Sequence, residues 1–256
     1  MVTLYTAHVP IVLVHGVPET VAIWDDLRAH LGGHEVIALS PPGFGAPAPD
    51  SFSGTSDEYV TWLIGELQRI DGPIDLVGHN WGGGHVFRAV AAHPELVRSW
   101  AIDIAGCFDP EYVWHANAQT WQTPGAGEAL MARRRAMPPA ELAKGYVARG
   151  MSERAAASCV AALDETMGRC ILALYRSAAQ PKMAEWGAHV SGLRSRPGLV
   201  IIPTQDPYTG GEALARRTAE RVNAQVAVLP GLGHWWMCED PRPGAAALSA
   251  FIASLS

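Results

Sequence analysis

The residues of this chain that could do chemistry begin at Gly78-His79-Asn80-Trp81-Gly82-Gly83. The short apolar run from Ile74 to Val77 breaks there into Gly-x-Asn-x-Gly and then into a helical pattern, so it reads as a strand, a sharp turn and a helix. A Gly-x-Nuc-x-Gly elbow holds its central side chain in a strained turn facing a cleft, and the flanking glycines let strand and helix pass without clash. That centre is ordinarily a nucleophile. Here it is Asn80, whose neutral carboxamide attacks carbon far less readily than a carboxylate. Downstream, Asp206 follows the apolar run Val200 to Thr204, and His234 stands in Gly231-Leu232-Gly233-His234 after Val226 to Leu229. A nucleophile position, an acid and a base thus follow one another in the order in which a catalytic triad runs along a chain of this kind.

Each member also has a plainer reading. Asp206-Pro207 could simply open a turn, His234 could be a loop histidine packed on Trp235, and His15 before Gly16 could serve a tight turn. What favours the catalytic reading is their joint occurrence after apolar runs, in fold order. Asp103, also at a strand end, is the reserve acid. Histidines 8, 30, 34, 85, 93, 115 and 189 show no ligand spacing and read as surface or packing residues.

The segments around these residues form an α/β pattern. Ile11 to Gly16 is a β-branched apolar run of the kind buried on both faces of a parallel sheet. Thr20 can cap a following helix with Ile23, Trp24, Leu27 and Leu31 on one face. Glu35 to Leu39 reads as a strand, Pro41 to Gly45 as a loop, and Thr55-x-x-Glu58 as a capping box on a helix running to about Ile70. Arg98 to Ala105 is a further strand, and the alternation is that of βαβ units in a mostly parallel sheet flanked by helices. From Cys107 to Arg196 the β-branched runs give way to Ala-rich helical segments. Strands return at Gly198 to Thr204 and Ala224 to Leu229, separated by a helix at about Glu212 to Val222, and Pro241 to Leu255 closes as a helix. The expected organisation is a core of residues 1–106 and 197–256 with a helical cap at 107–196. Any leading hairpin is reduced to about Leu4 to His8.

Composition narrows the partners. The 256 residues suit one domain with an insertion. A formal charge of −6 argues against nucleic acid or an anionic membrane surface. The expected ligand is a small apolar or aromatic molecule. The N-terminal residues lack a signal-like pattern and no apolar run is long enough to span a bilayer, so a cytoplasmic location is expected. The cysteines at 107, 159, 170 and 238 are widely spaced and read as buried thiols, with no metal site, disulfide framework or cofactor indicated. Arg133-Arg134-Arg135 reads as a solvated helix face.

His15-Gly16-Val17-Pro18, Pro42-Gly43-Phe44-Gly45, the elbow and Gly233-His234-Trp235 together resemble the epoxide hydrolase and haloalkane dehalogenase branch of the alpha/beta-hydrolases. The likeness runs along nearly the whole chain outside the cap. That branch carries His-Asp-Trp-Gly-Gly at its elbow, so this chain departs from it at the residue that does the chemistry. The resemblance implies an elbow carboxylate that forms an ester, backbone N–H groups at Trp81 and Val17 that hold the oxyanion, and His234 oriented by Asp206. Asn80 would preserve that pocket and remove the covalent step, as in an inactivated variant of an aspartate enzyme. A native Asn80, which binds without turnover or gains activity on deamidation, is the alternative.

The resemblance also places Tyr175, in Ile171 to Arg176, as the phenol donor that meets an opening epoxide oxygen. Its plainer reading is an ordinary helix tyrosine. The second donor tyrosine of the family falls at Thr120. Trp121 beside it either supplies an indole N–H or only packs, and Trp121 and Trp186 are candidate substrate-binding residues. Trp81 with a cap tryptophan is also how dehalogenases hold halide, so haloalkane dehalogenase is the second reading. A ligand-binding protein that kept the hydrolase shape is the third.

Overall fold

The computed structural model describes residues 9–255; the leading segment from Leu4 to His8 lies outside the described residues. Six strands, β1 (Ile11–Val14), β2 (Val36–Leu39), β3 (Asp75–Gly78), β4 (Ser99–Ile102), β5 (Gly198–Pro203) and β6 (Gln225–Leu229), form one sheet in the order β2-β1-β3-β4-β5-β6. Every pairing is parallel. The central strands β1, β3, β4 and β5 are buried along their whole length, which is why their sequences are continuous apolar runs.

Register decides what meets at the carboxyl edge. Val14 pairs with Gly78, and Gly78 with Ile102, so the loops after β1, β3 and β4 leave the sheet side by side. Pro203 pairs with Leu229, which brings the loops after β5 and β6 to the same edge. A parallel sheet collects its functional groups there.

The helices are α1 (Asp25–Arg28), α2 (Ser56–Leu67), α3 (Trp81–Ala92), α4 (Ala116–Gln122), α5 (Ala126–Ala136), α6 (Pro139–Val147), α7 (Glu153–Ala161), α8 (Glu165–Ser177), α9 (Lys182–Ala188), α10 (Ser191–Arg194), α11 (Gly211–Val222), α12 (Trp236–Glu239) and α13 (Pro241–Ala253). The two faces of the sheet carry separate cores, one with Val12, Leu76 and Trp100 and the other with Ile11, Leu13 and Ile201, as the alternation of side chains along each strand requires. The segments α4 to α10 all fall between β4 and β5. Of these, α8 is the most enclosed, with Met167, Cys170, Ile171, Leu174 and Tyr175 buried.

Three local expectations are corrected. The first helix is a 3-10 turn at Val21–Trp24 followed by the short α1, although Thr20 does accept from the Ala22 N–H. Thr55 makes no side-chain cap on α2, because the Glu58 carboxylate reaches further upstream, to the backbone N–H groups of Ser53 (2.6 Å) and Gly54 (3.1 Å). The strand begun at Ser99 stops at Ile102, since Ala105–Phe108 winds into a 3-10 turn.

Candidate active site

β3 ends at Gly78 and α3 starts at Trp81, which leaves Asn80 in the turn at φ 52° and ψ −130°. A non-glycine residue with positive φ is strained, and here the surroundings fix it. Asn80 N–H donates to Asp103 Oδ1 (3.1 Å), and its carbonyl accepts from Gly84 N–H (3.2 Å). Close approach of α3 to β1 is possible because Gly82 lacks a side chain; a Cβ there would collide with the carbonyl oxygen of Val14.

The Asn80 carboxamide is held at both ends. Its Oδ1 accepts from the N–H groups of Trp81 (2.5 Å) and Val17 (3.4 Å), and its Nδ2 lies 2.7 Å from His234 Nε2. Two convergent backbone donors at that point form an anion-binding hole. Gly16 makes the hole possible, since a Cβ on it would stand 2.5 Å from Trp81 N.

His234 Nδ1 lies 2.7 Å from Asp206 Oδ2, and Asp206 Oδ1 accepts from Tyr208 N–H (2.8 Å). With the Nδ1 proton directed to the carboxylate, Nε2 presents its lone pair toward Asn80 Nδ2. Burial opposes ionisation of Asp206, but the His234 ring and the Tyr208 N–H outweigh it and hold the carboxyl below its ordinary range.

Asp103, the reserve acid, does not meet His234. Its Oδ2 takes His79 Nδ1 (2.5 Å) and Trp236 Nε1 (2.8 Å). The other ring nitrogen of His79 lies 3.1 Å from Glu19 Oε1, which also accepts from Trp235 Nε1 (2.9 Å), while Glu19 Oε2 accepts from Gly16 N–H (2.8 Å). Glu19, His79 and Asp103 are all buried. Burial disfavours charge on His79 and on Glu19, yet the two carboxylates raise His79 well above its usual range, and His79 lowers Glu19 to about 2. A carboxylate–imidazolium–carboxylate triad therefore lies beneath the elbow and ties Gly16, Asn80 and the Trp235-Trp236 segment together. Sequence reasoning missed it. His15 is not in this triad; burial lowers its pKa to about 4, and its ring nitrogens meet the Gly16 carbonyl (3.0 Å) and Ser40 Oγ (3.2 Å).

Above Asn80 the pocket has two lobes. One, about 410 Å³ with its mouth included, is lined by Val17, Asn80, Trp121, Tyr175, His234 and Trp235 among others. The second, about 340 Å³, adds Trp81, Trp114 and Met183. Tyr175 is buried, its ring centroid 4.7 Å from that of Trp121 and 5.3 Å from that of Trp81. Burial raises the Tyr175 pKa, with a smaller opposing effect of Trp81, so the phenol keeps its proton. Thr120 offers no donor to the pocket because its hydroxyl donates to the Ala116 carbonyl (3.0 Å). Trp186 does not line either lobe; the Arg88 guanidinium lies 4.0 Å over its ring.

His115, expected to be a surface or packing residue, lines both lobes. Its Nδ1 caps α4 by accepting from Ala118 N–H (3.3 Å). Arg134 and Arg149 also line the first lobe. Among the described residues, no helix is long and apolar enough to cross a membrane.

A family model described as the alpha/beta hydrolase family matches residues 11–247. The 2-(acetamidomethylene)succinate hydrolase of Mesorhizobium japonicum is 24% identical over 254 residues, covering 93% of this chain and 86% of that protein. The crystal structure of a haloalkane dehalogenase DbeA-M1 loop variant from Bradyrhizobium elkanii superposes with a TM-score of 0.73 at 19% identity, over 97% of this chain and 92% of that one. Cfl2 from Burkholderia cenocepacia superposes with a TM-score of 0.75 at 20% identity, over 96% and 88%. At these identities the structural likeness concerns the fold.

Proposed function

The chain belongs to the alpha/beta hydrolase family, and from that premise we propose that its pocket is built to open epoxides through an ester on residue 80, with Asn80 arresting the reaction before attack. The observation that carries this reading is the Asn80 carboxamide itself, which bridges the Trp81 and Val17 N–H groups at one end and His234 Nε2 at the other. A carboxylate has nearly the same shape. With Asp at position 80, one carboxylate oxygen attacks an epoxide carbon, the ring C–O bond breaks, and the alkoxide takes a proton from the Tyr175 hydroxyl. His234 then removes a proton from water, the hydroxide adds to the ester carbon, and the oxyanion rests on Trp81 and Val17 until the acyl C–O bond breaks; the departing alkoxide takes the proton of the new carboxylic acid and leaves as the diol, and the His234 imidazolium returns its proton to the Tyr175 phenolate. Asp206 holds the His234 ring and balances its charge. With Asn80, the amide oxygen is too weak a nucleophile for the first step, so a substrate would be bound and left intact. The helices between β4 and β5 act as the cap that closes over it.

A second reading has its own observation. The indole Nε1 atoms of Trp114 and Trp121 are buried without a hydrogen-bond partner among the described residues, and Trp81 stacks on Trp114 at 5.9 Å. Weak N–H donors suffice for a departing halide, so haloalkane dehalogenation is the alternative. Asn80→Asp assayed on a panel of epoxides and haloalkanes separates the two: diol formation is expected, halide release without diol would favour the alternative, and neither would end the enzymatic reading.

A further inference from the structure

The helix face Arg133-Arg134-Arg135 is not uniformly turned to solvent. Arg134, on α5, is half-buried and lines the first lobe of the pocket together with Arg149, which follows α6. Neither guanidinium forms an ion pair with a carboxylate among the described residues, unlike Arg98, Arg176, Arg217 and Arg221. Among the described residues, no acidic side chain lines that lobe. Two like charges at one pocket in a chain of net charge −6 repel each other, and the arrangement is stabilised when an anion enters.

The geometry is suited to receiving one. Arg134 lies over the Trp121 ring at 5.2 Å, and Arg149 lies over Tyr146 at 5.4 Å and Trp235 at 5.9 Å. All three rings are themselves pocket walls. Stacking occupies one face of each guanidinium and leaves its in-plane N–H donors for a carboxylate, whose two oxygens match that fork. His115 does not substitute for them, because burial and the neighbouring His234 lower it to about 4 and leave it uncharged at neutral pH.

We propose that this pocket takes an organic acid: a substrate whose carboxylate is held by Arg134 and Arg149 at the first lobe while its apolar part lies among Trp121, Tyr175 and the second lobe. This adds a carboxylate to the small apolar or aromatic ligand expected from the sequence. It rests on the proposed function only in placing the reacting carbon at residue 80, and the anion site is testable without any reaction.

The test uses the full chain with Asn80 in place and two probes of one shape, phenylacetate and phenylacetamide, titrated while the indole fluorescence of the pocket is followed. Phenylacetate is expected to bind at least about tenfold more tightly than the amide, with the preference shrinking as salt is added. Arg134→Gln and Arg149→Gln should each weaken phenylacetate about fivefold or more and leave phenylacetamide unchanged, which also reports that the pocket is folded; Arg134→Lys should retain part of the preference. Equal binding of acid and amide, no phenylacetate binding, or an undiminished preference in the double Gln variant overturns the proposal. An Asn80→Asp protein that opens neutral epoxides while the chain shows no anion preference would overturn the anion site alone. Anion preference without any reaction in Asn80→Asp would overturn the reaction alone.

Discussion

Removing the cation beneath the elbow tests how the active-site backbone is held. In His79→Gln the two carboxylates of Glu19 and Asp103 stay buried without the charge that lies 3.1 Å and 2.5 Å from them. The cheapest relief is for one of them to hold a proton. Keeping a carboxyl of ordinary pKa near 4.5 protonated at neutral pH costs about 3.4 kcal/mol, at about 1.36 kcal/mol per pH unit. Breaking a buried ion pair by deleting one partner typically costs ~3–5 kcal/mol, in agreement. For a chain of this length that is a Tm lower by roughly 7–14 °C.

The pH dependence separates this from a simple packing loss. In the parent, Glu19 is lowered to about 2, so its contribution is present above 4.5 and lost as pH falls from there toward 2. His79 is raised, so its contribution is present below 6.5 and lost as pH rises through its raised folded value. Parent stability should therefore hold level between 4.5 and 6.5, while the His79→Gln deficit shrinks by about 1.4 kcal/mol per unit as pH is lowered from 6.5 toward 4.5. Thermal and urea unfolding across that range measure both. A deficit below about 1 kcal/mol at neutral pH, or one that does not change with pH, would refute the charged triad.

Three further outcomes are expected. Tyr175→Phe in the Asn80→Asp background should slow ester formation by ~10²-fold or more with little effect on Tm; unchanged single-turnover rates would remove Tyr175 from the reaction and leave Trp121 as donor. Gly16→Ala places a methyl group against the residue 80 side chain and 2.5 Å from Trp81 N, so turnover of Asn80→Asp should fall by ~10²-fold or more, and an unaltered rate would contradict the assignment of the Val17 and Trp81 amides. Because the Asn80 amide carbon already lies between that hole and His234, the parent stored at neutral pH should slowly convert Asn80 to Asp with loss of ammonia, read by peptide mass mapping. Equal conversion in His234→Ala would show that the site does not promote it.

The central strands were legible because a sheet buried on both faces writes continuous apolar runs, as in Ile11–Val14 and Gly198–Pro203. The 3-10 turn before α1 was not, since Ile23, Trp24, Leu27 and Leu31 space alike in either winding. The elbow was legible from Gly78 and Gly82, whose absent side chains are a steric requirement at that crossing. The partner of Asp103 needed the register: Gly78 pairs with Ile102, which sets His79 and Asp103 side by side one residue beyond the strands. Arg134 was hidden by grouping three arginines as one face, although three consecutive helical residues span roughly 200° and cannot all point one way. The place of Trp186, outside both lobes, was not legible because composition counts tryptophans without saying which face of a short helix they occupy.

The central claim is a covalent ester on residue 80. The measurement that tests it most directly is the intact mass and peptide map of the Asn80→Asp, His234→Ala protein after mixing with an epoxide that Asn80→Asp hydrolyses. The expected result is an adduct heavier by the whole mass of the epoxide, located on residue 80 and persistent because no histidine activates water against it. An Asn80→Asp enzyme that turns over the epoxide while the double variant carries no adduct, or carries it on another residue, would contradict the account.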